Sequence, residues 1–316
     1  MEPRGGLTTH GQPPSRRMPV LAWLLLAGAA GHLVVWAWIN WYRVFGPYLI
    51  LRFEDLSSIV TGAGPFLLGA AVVVGAVRWP AGRTWFVAGA LLSGLHGLLQ
   101  LAFTAWWQWL ISADVVPTEG AWPVVSVSLA LVSAVAAALV AVCLALGLVR
   151  ARPMRPLSAP LLVVPLVIGL AAALGLLALL LRELASATQI GEGQSAYVAL
   201  SVVHWAIRMG GIVGLVALAV AALRAMPSPI GAPELLVALG ALFVAGSRAA
   251  TSFGQALLSV ETQSELVGWV FTVPFAIEAA GIILLATAFG LAALLARPGD
   301  AGARPERPGP METLAG

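Results

Sequence analysis

The chain has 316 residues, of which 60% are hydrophobic and only 10% charged, with a mean hydropathy of +0.94. Soluble domains carry roughly 25% charged residues, so a soluble globular fold is excluded and an all-α, polytopic transmembrane helical bundle is expected. The formal charge of +3 rests on arginines whose positions read as topology determinants, so no nucleic-acid partner is expected. The single cysteine, Cys143, excludes an intramolecular disulfide and a cysteine-based metal site.

Residues 1–17, rich in Pro, Gly and Arg, are too polar to bury a core and are expected to form a disordered cytoplasmic tail. Ser15-Arg16-Arg17 ahead of an apolar run resembles a twin-arginine export signal, with Ala27-Gly28-Ala29 in the place of a cleavage site. The apolar stretch runs on through Ile39, too long for a signal core, so an uncleaved first span is expected.

Residues 18–296 then read as an eight-helix membrane domain, with spans at about 19–40, 58–77, 84–110, 122–149, 158–181, 196–223, 234–259 and 266–296. Ahead of the second span, residues 43–57 set Tyr48, Leu49, Ile50 and Phe53 beside Arg52, Glu54 and Asp55, the pattern of a short amphipathic helix on the membrane surface. The fourth span ends CLALGLVRARP and the eighth TAFGLAALLARP. Two four-span units in parallel orientation, a weak 4+4 repeat, are the expectation from that match. Residues 297–316, dense in Pro and Gly, are expected to be a second disordered cytoplasmic tail.

With the N-terminus inside, twelve of the seventeen arginines fall on the cytoplasmic side, three fall outside, and Arg208 and Arg248 lie within spans. That bias predicts both termini in the cytoplasm of a bacterial-type cell membrane. Trp36, Trp38, Trp41, Trp106, Trp107, Trp109, Trp122 and Trp269 gather at the outer ends, as an interfacial belt would.

The polar residues within spans are the functional signal. Counting from the outer side, Arg208 lies 12 residues from Ala196, Arg248 12 from Val260 and Glu278 12 from Leu266, close to the midplane of a ~30 Å hydrocarbon core. An Arg at that depth costs about 3 kcal/mol on insertion scales and must face protein or a water-filled cavity. His204 precedes Arg208 by four residues, on the same helical face, and His96 and Gln100 lie near the same level. Spans seven and eight are joined by a short acidic loop, Glu261–Glu265, so Arg248 and Glu278 are expected to pair. Two arginines against one glutamate leave a positive charge over. Either Glu278 is shared, or a loop carboxylate folds inward, or an anionic ligand completes the site.

These residues point to a carrier- or permease-like protein that binds a small anion or an anionic amphiphile. The ligand-binding set is Arg208, His204, Arg248, Glu278, His96 and Gln100, with the lipid bilayer and a membrane partner subunit as the other contacts. A non-catalytic structural or sensory subunit, whose buried charges only set helix packing, is the second reading. A b-type haem or quinone-linked redox protein is the third, with His32, His96 and His204 as the iron ligands. No zinc-protease motif, nucleophile elbow or phosphate-binding loop occurs, so neither catalysis nor a resident cofactor is expected.

Overall fold

The computed structural model describes residues 20–25, 27–32, 34, 50–112, 122–187, 194–226, 232–257 and 264–295. Both expected tails lie outside them. Among the described residues all regular structure is helical, as it must be where hydrocarbon offers the backbone no partners. Helical residues 20–25 and 27–32 form α1. The others are α2 (Ile50–Gly75), α3 (Arg83–Ser112), α4 (Trp122–Ala151), α5 (Ala159–Ala187), α6 (Gln194–Ala225), α7 (Ala232–Leu257) and α8 (Ser264–Leu294).

Each of α3 to α8 carries a stretch long and apolar enough to cross a membrane, six in all among the described residues. For the first two of the eight expected spans, the described residues give the shorter apolar stretches Val20–His32 (described in part) and Ala63–Arg78. The expected short, separate surface helix at 43–57 is corrected. Its described part, residues 50–57, belongs to α2, which runs on without a break through Pro65 to Gly75. Residues 43–49 lie outside the described set. Because α2 opens with Arg52, Glu54 and Asp55, its apolar part is shorter than its 26 residues.

Six helices close a ring in the order α2, α3, α4, α6, α7, α8 and back to α2, while α5 packs outside against α6 and α7. Leu67 lies beside Gly28 and His32 beside Gly64, which sets α1 on α2. Moving each helix number by four maps α2–α3 onto α6–α7, α3–α4 onto α7–α8, and α2–α8 onto α6–α4, all of them true neighbours. Lipid is as apolar as leucine, so these interfaces depend on close packing. Where α7 crosses α8, a Cβ at Gly240 would stand 2.8 Å from the Gly281 carbonyl, and one at Gly281 would stand 2.8 Å from that of Gly240. Glycine at both positions lets the two backbones meet. The outward side of α5 leaves Leu161, Val163, Leu166, Val167, Leu170, Leu174 and Leu181 exposed, as a lipid-facing surface does.

The two ends of the bundle differ. At the end taken as inner, two 3₁₀ turns, Ala76–Arg78 and Pro80–Gly82, carry the chain from α2 to α3 around buried Trp79. Trp79, Phe86 and Phe289 pack there with ring centroids 5.5–5.6 Å apart. Arginines line the same end. Arg150 lies over the Trp85 ring, Arg224 Nε donates to the Arg155 carbonyl at 2.9 Å, and Arg152 pairs with fully buried Glu234 at 3.7 Å. At the other end are Trp106, Trp107 and Trp109 in the last turns of α3, Trp122 opening α4 and Trp269 near the start of α8. Trp36, Trp38 and Trp41 lie outside the described residues.

Candidate functional site

Helix length and register bring the charged residues to one depth. Arg208 is the 15th of 32 residues in α6, Glu278 the 15th of 31 in α8, Arg248 the 17th of 26 in α7, and His96 the 14th of 30 in α3. Two cavities adjoin at this level. An axial cavity of about 190 Å³ lies inside the ring, walled largely by Leu68, Val140, Leu144, Leu218, Ile282 and Leu285. A larger chamber of about 550 Å³ extends from the mid-level charges toward the outer half, reaching Gln255 in the last turn of α7 and Glu183 near the end of α5. His96, Gln100, Ala137, Arg248 and Glu278 line both cavities and so form the wall between them.

All six residues singled out in the sequence line the chamber: Arg208, His204, Arg248, Glu278, His96 and Gln100. Arg248 Nε lies 3.5 Å from Glu278 Oε1, and both side chains are about a quarter exposed, toward cavity space. Gly211 lies beside that guanidinium, where a Cβ would stand in ordinary contact at 3.4 Å from Arg248 Nη1. Arg208 donates from Nη2 to Ser252 Oγ at 3.3 Å. The Ser252 hydroxyl in turn donates to the Arg248 carbonyl one turn earlier, at 2.7 Å. A polar chain thus links α6, α7 and α8. Among the described residues the ion pairs are Arg152–Glu234 and Arg248–Glu278, so Arg208 has no carboxylate in contact.

His96 is held on both sides. Gln100 Nε2 has only protons to give, so His96 Nε2, 3.2 Å away, accepts. Nδ1 then carries the proton and donates to Ser133 Oγ on α4 at 3.4 Å. His32 shares the axial cavity with His96 alone, and His204 shares the chamber with His96 alone. Of the three histidines of the haem reading, His96 is thus the one that lines both cavities. Among the described residues no group of three or more His, Cys, Asp or Glu is placed to hold a metal ion.

The sequence reading missed two residues. Ser133 carries no signal of its own, a lone serine in an apolar span. Glu183 lies beyond the fifth expected span, 158–181, because hydropathy falls at Arg182-Glu183. The helix instead continues to Ala187 through Leu184, Ala185 and Ser186, which do not break it. Glu183 stays on the buried face with Leu176, Leu179 and Leu180, an i, i+3, i+4, i+7 set legible in the sequence. It interacts electrostatically with Arg208. The surplus positive charge inferred from the sequence is therefore corrected: two arginines and two glutamates face the chamber.

Two buried polar atoms near these walls, Gln100 Oε1 and Trp205 Nε1, have no protein partner. Such atoms are few in native interiors and call for a ligand or water. No family model, curated protein or solved structure matches the chain. The fold and composition define the class: an all-helical membrane protein with an apolar cavity and a more polar chamber adjoining at the level of its intrahelical charges.

Proposed function

We propose that this protein is a carrier-like, multi-pass protein of a bacterial cytoplasmic membrane, and that the chamber binds a small anion or the anionic head of an amphiphile. The observation that carries this reading is the setting of Arg208. A full positive charge at mid-depth faces a chamber of about 550 Å³ with a serine hydroxyl, not a carboxylate, as its contact. Charges within a membrane are kept at such cost where they serve an ion or substrate pathway. The axial cavity suits the apolar part of an amphiphile, since its far walls are leucine, isoleucine and valine. The Arg248–Glu278 pair and the His96–Gln100 contact stand where the two cavities meet.

The arginine distribution supports an orientation with both termini in the cytoplasm. The neighbour relations preserved on moving four helices along the chain support two parallel four-helix units. With α1 and α2 included, those units make eight spans. A purely structural role for the charges does not need a chamber of this size.

Arg208→Gln keeps hydrogen-bonding capacity and removes the charge. The protein in a non-ionic detergent is expected to gain thermal stability with hexanoate or hexyl phosphate, and the Arg208→Gln variant, still folded, to gain none. Equal stabilisation of both proteins would refute the anion reading.

A further inference from the structure

Arg208 and Glu183 face the chamber as an unpaired couple. Both line it, and both also line a crevice of about 10 Å³ with His204 and Trp205, about the space one water needs. They attract each other electrostatically but form no ion pair. The other arginine and glutamate of the chamber are already joined, Arg248 to Glu278 at 3.5 Å. Arg208 has the Ser252 hydroxyl and Glu183 the Ser201 hydroxyl as neighbour, so one positive and one negative side chain, on adjacent helices, are left without a charged partner for a ligand to meet.

A simple anion would satisfy Arg208 and gain nothing from Glu183, whose charge repels it. A cation would meet the reverse penalty. A molecule bearing both charges, with an apolar remainder, satisfies both side chains and leaves the chamber neutral. Neutrality matters at this depth, because an uncompensated charge in low dielectric is costly. The apolar remainder has the leucine-lined axial cavity beside it.

Resting on the proposed anion site at Arg208, we infer that the ligand is a zwitterion with an apolar side chain, its carboxylate or phosphate on Arg208 and its ammonium on Glu183. The second charge-assisted contact should tighten binding by about tenfold or more over the acid that lacks the amine.

Thermal stabilisation of the whole chain by three probes of similar apolar length tests this: 2-aminohexanoic acid, hexanoic acid and pentylamine. The zwitterion is expected to reach half-maximal effect at about one tenth the concentration of hexanoic acid, with pentylamine the weakest. Glu183→Gln, close to isosteric, is expected to remove the advantage of the zwitterion while leaving hexanoic acid at least as effective. If 2-aminohexanoic acid and hexanoic acid act equally on the wild-type protein, the zwitterion inference falls and the anion reading stands. If none of the three stabilises the protein, both fall. The comparison on wild-type protein decides the matter even where a variant fails to fold.

Discussion

Replacing Arg248 by Gln removes one partner of the ion pair that joins α7 to α8 at the wall between the two cavities. The atoms stand 3.5 Å apart, with side-chain exposures of 25% and 26%. Two unit charges about 4 Å apart attract by about 4 kcal/mol at an effective dielectric of about 20. Exposure toward a polar chamber screens the pair, so the loss of roughly 3–5 kcal/mol seen on breaking fully buried pairs is not reached. A coupling of about 2 kcal/mol follows, roughly a 30-fold change in the folding equilibrium. Arg248→Gln and Glu278→Gln should each destabilise by about that amount, and the double variant by little more than either single one. Reversible unfolding in mixed micelles closes the cycle. Losses in the double variant that add within about 0.5 kcal/mol would show that the two residues do not act as a pair, and the view of the wall as an ion-pair joint would be wrong.

Backbone contact between α7 and α8 makes Gly240→Ala a sharper test than its one methyl suggests. Its Cβ would meet the Gly281 carbonyl at 2.8 Å, whereas a Cβ at Gly246 would have only Ile168 at 4.0 Å. Gly240→Ala should lower the free energy of unfolding by about 1–3 kcal/mol, with Gly246→Ala near neutral; similar losses from both would contradict the close crossing. Arg152→Ala should strand the carboxylate of Glu234, which is 0% exposed and 3.7 Å from Arg152, at a cost of about 3 kcal/mol. Adding Glu234→Gln should recover much of that loss in folded yield, and no recovery would argue against the pair. Reporter fusions after Arg150 and after Glu192 should give signals from opposite sides of the membrane. The same side for both would mean that α5 does not cross.

Class was legible without coordinates, because hydropathy and charge act locally: long apolar runs in hydrocarbon have no option but helix. The depth of Arg208, Arg248, Glu278 and His96 was legible for a related reason. Rise per residue is fixed at 1.5 Å, so counting along a span measures height. Counting does not measure azimuth. Which helices neighbour one another, and therefore that α5 stands outside a ring closed by α2 against α8, is decided by interhelical packing alone. Glu183 shows the limit best. Hydropathy ended the fifth span before it, yet α5 runs on to Ala187 and turns that carboxylate toward Arg208. The charge balance of the chamber, and with it the nature of the ligand it invites, is a property of that turn of helix. Only the tertiary structure, which sets side chains from six helices around one void, decides it.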